Sequence, residues 1–291
     1  MKINTPTAAV LATLLTIGWL VAGLPAPVQA AGTTYYVSAA GSDTNTGTSS
    51  ATPWRSLSKV NSIVLKPGDT VSFRKGDTWT GGVVTTQSGT DAAPITLNGY
   101  GSGNAPTITG GKSGNCIRIN GNYTVVDGLR GVSCGYAGIS ITGDRNTVRN
   151  SGASNNAVGI KAGSGSDFGK YTGNVLTDNN IMNVLTPGTN CGTPQAVNCN
   201  DDSGASGVLI NGNDNELSGN TVSGSNAFSY DYNRDGGSFE IYNGNRNYIH
   251  HNLALDNNNF SEIGRSSGTA DGNTYRYNLV RSTCGANCSQ A

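Results

Sequence analysis

Glu240 and Glu262 stand in matching settings, Ser238-Phe-Glu-Ile241 and Ser261-Glu-Ile263, 22 residues apart. In short alternating strands the flanking apolar residues turn inward and both carboxylates turn outward. If 22 residues make one turn of a solenoid, the two strands are neighbours and the carboxylates lie roughly 5 Å apart. Retaining glycosidases hold their two carboxyl groups at ~5–5.5 Å. Two acids so close do not both ionise cheaply, so one pKa must rise. The raised group is then the candidate acid, and its partner the candidate nucleophile or base. Like charges stacked across strands are destabilising, so the pair needs a reason to be there. A solvated sheet face and a calcium site are the alternatives to catalysis.

Around this pair the sequence gathers groups that recognise sugars. Phe228-Ser-Tyr-Asp-Tyr-Asn-Arg-Asp-Gly-Gly237 immediately precedes the Glu240 strand. In it, Tyr230 and Tyr232 are candidates for stacking on a ring. Asp231, Arg234 and Asp235 are candidates for binding hydroxyls or a uronate carboxylate. Asp201 and Asp202, in the insertion before Gly207-Val-Leu-Ile210, would cap the groove or ligate calcium through oxygen. His250 is expected to face outward beside Arg276, as a substrate contact or a surface residue. Asp256 is expected at the groove rim.

The elements that must position these groups are legible as two repeating frames. One is a short strand: Gly138-Ile-Ser-Ile141, Gly159-Ile-Lys-Ala162, Gly207-Val-Leu-Ile210 and the two strands bearing Glu. It puts Ser140, Lys161, Leu209, Glu240 and Glu262 in one outward column. The other frame is Asn, any, apolar, any, any, Asn, any, apolar. We read it at Asn174/Asn179, Asn215/Asn220, Asn247/Asn252 and Asn273/Asn278, with a weaker copy at Asn146/Ser151. Repeats of this length, each with short strands, indicate a stacked solenoid. Stacking puts equivalent Asn residues about 4.8 Å apart, where their amides bond in a ladder. A β-propeller would need about 40 residues per blade and an aromatic signature, which the chain lacks. The expected fold is therefore an all-β parallel β-helix. Pro53–Val60 is expected to form a short amphipathic helix capping its N-terminal end.

Composition agrees. Gly numbers 42 of 291 residues and charged residues make up 12%, which suits tight turns rather than a helical bundle. The 18 basic and 18 acidic residues balance, so nucleic acid and anionic membranes are not expected partners. Lys2, the apolar run Ala8 to Gly23 and Val28-Gln29-Ala30 read as a signal peptide over 1–30, leaving 31–291 as an exported β-helix domain. The six cysteines, Cys116, Cys134, Cys191, Cys199, Cys284 and Cys288, suit disulfides in an oxidising compartment rather than a metal site, with the pairing left open. A secreted monomer is expected. Its last coil begins at Asn273 and leaves little chain for a C-terminal cap.

Tyr35-Tyr-Val-Ser-Ala-Ala-Gly-Ser-Asp43, Pro53-Trp54 and Lys66-Pro-Gly-Asp-Thr70, followed by the Asn-centred coils, resemble the pectate-lyase-like right-handed parallel β-helix superfamily. The resemblance implies a right-handed helix acting on a polysaccharide. Activity does not follow from it, because such folds carry hydrolases, lyases, esterases, epimerases and non-catalytic adhesins. It implies three readings here. The preferred one is glycoside hydrolysis by Glu240 and Glu262, which requires no cofactor. The second is a calcium-assisted lyase with Lys161 or Arg234 as base. The third is a non-catalytic glycan-binding solenoid. The Gly-His-Gly and Asn-Thr-Asp sets of polygalacturonases are absent, although Asp201-Asp202 is present.

Overall fold

The structure is a computed structural model that describes residues 32–110, 114–191, 193–199 and 201–283. The expected signal peptide, Cys284, Cys288 and the expected cap region lie outside them. The strands assemble into three parallel sheets of nine, eight and seven strands, here A, B and C. The chain visits A, B and C in turn, and each strand pairs with its equivalent one coil later. This is a parallel β-helix.

Each coil sends one or two apolar side chains per sheet into a common core. In sheet A these are Val71, Leu97, Val126, Val148, Tyr171, Leu217 and Ile249, paired in register. In sheet C the column runs Val83, Ile117, Ile139, Ile160, Val208 and Phe239. All are buried. No coil buries such a face by itself, so burial depends on stacking.

The bends share one grammar. A residue in the left-handed region turns the chain, and the next residue turns its side chain into a buried ladder. Between A and B the turning residues are Asn150, Gly173, Gly219, His251 and Tyr277, and the ladder is Ser151, Asn174, Asn220, Asn252 and Asn278. Each Asn Oδ1 there accepts the backbone N–H of the coil before it, at 2.9–3.0 Å. Between B and C, Asn155, Asp178 and Asp256 turn before Asn156, Asn179 and Asn257. Between C and A, Arg145, Asp214 and Arg246 turn before Asn146, Asn215 and Asn247. A non-glycine residue in this conformation costs ~1–2 kcal/mol, which the ladder bonds offset.

Two expectations need correction. Asn174 belongs with Asn220 rather than Asn215, because the corner before it is occupied by Gly169, which donates to Asn215. The repeated Asn-x-apolar spelling is the same at every corner, so spelling alone does not distinguish one corner from the next. The N-terminal helix is Leu57–Asn61, capped by the Ser56 hydroxyl on the Lys59 N–H. Trp54, expected in that helix, instead bridges Val37 in parallel and stacks on Tyr35 at 4.8 Å. Leu57 and Val60 bury the helix's apolar side. The disulfides Cys116–Cys134 and Cys191–Cys199 are formed. Among the described residues no helix is long and apolar enough to cross a membrane.

Candidate functional site

Sheet C carries the expected outward column. Ser140 pairs with Lys161, Lys161 with Leu209, Leu209 with Glu240, and Glu240 with Glu262. Direct pairing on parallel strands spaces the backbones of the two glutamates by about 4.8 Å. Inward-facing Phe239 and Ile241 anchor the Glu240 strand in the core, so its outward side chain sits on a rigid base.

Two insertions rise beside this end of the sheet. The first follows the sheet B strand Val175–Thr177, contains the strands Met182–Val184 and Ser203–Gly204, and is cross-linked by Cys191–Cys199. The second is the hairpin Ala227–Ser229 with Asn233–Asp235. Asp202 ties them together. It is only 3% exposed. Its carboxylate accepts from the Thr186 and Tyr230 N–H groups and from the Ser229 hydroxyl. These bonds hold its pKa below the ordinary value against the opposing effect of burial. Asp231 accepts from the Asp202 N–H at 2.8 Å and lies within 4.8 Å of both sulfurs of the loop disulfide. The Arg234 Nε donates to Asn226 at 2.6 Å. Asp202, Asp231 and Arg234 therefore brace the wall.

Between wall and sheet lies a cleft of ≈260 Å³, lined among others by Tyr136, Lys161, Asp201, Ser206, Leu209 and Glu240. The Ser206 hydroxyl donates to Glu240 Oε2 at 2.7 Å. Burial raises the Glu240 pKa; Ser206 opposes the shift, while the negative charges of Glu262, Asp235 and Asp201 add to it. Glu262, paired with Glu240 on the next strand, is more exposed. Its pKa is raised by partial burial and by Asp201. Glu240 is the deeper group, and burial is the first cause favouring its protonated form. Asp201 accepts from the Tyr232 hydroxyl at 3.0 Å, and this bond is the main reason the phenol is pushed up to about 12. The Lys161 Nζ donates to the Tyr136 hydroxyl at 3.0 Å and sits 4.7 Å from that ring's centre.

Asp235 is pushed up to about 6, chiefly by burial, with Glu262, Asp201 and Asp202 adding to the shift and the Gly236 N–H opposing it. A folded-state pKa above the ordinary 3.8 means that the folded protein binds this proton more tightly. The corresponding stability is complete below that ordinary value and is lost as pH rises through about 6. Asp235→Asn should therefore raise the melting temperature at pH 7–8 and lose that advantage near pH 4. Thermal unfolding across pH checks this, and a pH-independent gap would refute it.

The structure thus brings together Glu240, Glu262, Asp235, Asp201 and Lys161. It does not bring His250 to them. His250 lies on sheet A, stacked on Tyr248 at 4.0 Å with its Nε2 3.2 Å from Glu216. Its outward pairing with Arg276 is as expected, but outward on sheet A is a different face from outward on sheet C. Asp256 is a corner residue whose carboxylate accepts from Thr283. Tyr230 packs edge-on against Phe228 at 4.9 Å, and Tyr232 is 62% exposed above the acids. Tyr136 and Ser206 were missed. They lie at or before the start of sheet C strands, outside the column that alternation picks out.

The pairing of Asp201 with Asp202 as calcium ligands meets a competing use, because Asp202's oxygens are committed to the wall. Among the described residues only Cys191, Cys199 and Asp231 place three potential ligand atoms within 4.8 Å of one another, and those sulfurs are joined.

No protein-family model matches the chain. A stretch of 81 residues is 44% identical to lacto-N-biosidase of Bifidobacterium longum subsp. longum, covering 26% of this chain and 5% of that protein. Among solved structures, GH136 lacto-N-biosidase from Eubacterium ramulus superposes with a TM-score of 0.58 at 14% identity, over 88% of this chain and 57% of that one. Pectate lyase Pel9A gives a TM-score of 0.49 at 15% identity, over 90% and 79%. The chain thus spans only part of the lacto-N-biosidases it matches. The first superposition supports the parallel β-helix as the fold.

Proposed function

We propose that the chain is an exported glycan-cleaving enzyme that hydrolyses a glycosidic bond with retention. The observation that carries this reading is the direct strand pairing of Glu240 with Glu262 in environments that differ in depth. In the first step the Glu262 carboxylate attacks the anomeric carbon. The bond to the leaving oxygen breaks, and Glu240 gives that oxygen its proton. In the second step Glu240 takes a proton from water, whose oxygen attacks the anomeric carbon and frees Glu262. The short stretch shared with a lacto-N-biosidase and the two disulfides of an oxidised compartment support a secreted, carbohydrate-acting reading.

Lys161 in the same cleft, 3.0 Å from the Tyr136 hydroxyl, favours a second reading: abstraction of a sugar-ring proton followed by β-elimination. We derive no step through calcium. Mass spectrometry of products made in ¹⁸O-water separates the two. Hydrolysis predicts one labelled oxygen at the new reducing end. Unsaturated, unlabelled ends would establish elimination and overturn the assignment. Glycan binding without any product would leave the chain a binding solenoid.

A further inference from the structure

Beside the acidic cleft lies a second, larger cavity of ≈700 Å³. The two share Tyr136, Lys161 and Asn211, so they are two arms of one groove on sheet C and the corner beyond it. Their chemistries differ. The first arm presents Glu240 and Asp201. The second is lined by amides and hydroxyls, including Asn211, Asn213, Asn245, Ser140 and Thr142. Among the described lining residues its one charged group is Lys161, which is already bonded to the Tyr136 hydroxyl and lies over that ring.

The polar lining is rigid. Asn245 Nδ2 donates to Asn213 Oδ1 at 3.0 Å, and the Thr269 hydroxyl donates to Asn245 Oδ1 at 2.7 Å. Asn211 Nδ2 is fixed on the Tyr242 carbonyl at 2.9 Å, at the junction of the two arms. A glycan of uronates needs cations to match its carboxylates, usually arginines in forked geometry. This arm has no arginine and its single cation, Lys161, is held on Tyr136, while the acids at its other end would repel such a chain. Neutral sugars need fixed amides and hydroxyls, which is what this arm offers. Its volume lies within the roughly 300–1,000 Å³ of small-molecule sites.

We propose that the substrate is a neutral oligosaccharide whose non-reacting sugars occupy this amide-lined arm, reaching Glu240 across the Tyr136–Lys161 junction. The orientation rests on the hydrolase reading of Glu240, while the binding does not. Glu240→Gln chain is titrated by calorimetry with neutral galacto-, xylo- and chito-oligosaccharides of two to six rings. Galacturonan and alginate fragments of equal length are titrated beside them. The expected result is that a neutral series gains about tenfold or more in affinity from two rings to six, with uronates about tenfold or more weaker. Ser164 is exposed and lines the arm. Ser164→Trp should remove the gain with length, and Asn211→Ala, a smaller change at the junction, should reduce it. Preference for uronates, affinity independent of length, or no binding of any glycan would overturn the proposal. Length-dependent neutral binding without turnover by the unmutated chain would remove the hydrolase reading alone. Turnover of uronates alone would remove this proposal and leave a catalytic groove.

Discussion

Glu240→Gln is expected to lower kcat on a natural glycan by about 10²–10⁴-fold, while binding changes by less than about threefold. Burial and three neighbouring negative charges favour the protonated form of Glu240, and only the Ser206 bond opposes them. An acid must be protonated at working pH, so the deeper carboxyl is the one suited to protonate a leaving oxygen. Glutamine keeps the shape and accepts the Ser206 hydroxyl, but has no acidic proton to give. The pH profile carries the sign. Activity should fall at high pH as Glu240 ionises, and at low pH as Glu262 becomes protonated. Glu240→Gln should erase the alkaline limb of whatever activity is left. An aryl glycoside with a good leaving group needs little protonation, so Glu240→Gln should slow its first step far less. Glu262→Gln removes the nucleophile and should slow both substrates alike. Activity on the natural glycan within tenfold of the unmutated chain for either variant would sink the assignment, as would equal losses on both substrates for Glu240→Gln.

How far the residues alone lead is clearest at Glu240. The strand frame from Gly138 to Ile263 put five outward residues in one column, and every pairing holds. Alternation is local, and the five strands of the column start in register, at Ala137, Val158, Ser206, Gly237 and Asn259, so the register could be read directly. The glycine at the entry has a physical cause. A Cβ on Gly159 would lie 2.4 Å from the Gly207 carbonyl and 2.9 Å from the Asn179 amide, so the ladder itself excludes a side chain there. The wall was less legible. Asp202, Asp231 and Arg234 read as ligand contacts because charged residues in a loop look alike whether they face substrate or backbone. What decides their use is the meeting of two insertions from successive coils, and no periodicity reports that meeting. His250 failed for a related reason. Alternation gives inward or outward, but a helix with three sheets has three outward faces.

The ladder that makes this site possible also predicts the largest loss of stability. Asn220 sits at the corner between sheets A and B, one corner before the chain turns toward the Glu240 strand. Its Oδ1 accepts both the N–H and the side-chain amide of Asn174, each at 2.9 Å. Its own amide donates to the Tyr171 carbonyl at 2.8 Å and to Asn252 Oδ1 at 2.9 Å. All of these groups are buried among neighbouring coils. Asn220→Leu would leave two donors of Asn174 without their acceptor, and the Asn252 and Tyr171 oxygens short of a donor. Each buried unsatisfied group costs ~1–3 kcal/mol, so the expected loss is about 3–6 kcal/mol. That is a large share of the ~5–15 kcal/mol that holds a typical folded protein. Asn120 supplies the control. It is exposed and accepts one hydroxyl, from Thr142, so Asn120→Ala should change stability by no more than about 0.5 kcal/mol. Urea unfolding followed by circular dichroism measures both, and unequal slopes would show that the coils no longer unfold together. If Asn220→Leu unfolds outright, Asn220→Asp keeps an acceptor for Asn174 and should show a smaller loss that shrinks as pH falls and the carboxyl regains a proton to donate. A loss under about 1 kcal/mol for Asn220→Leu would mean that apolar packing alone sets the register of the coils, and that the position of Glu240 over Glu262 does not depend on the ladder.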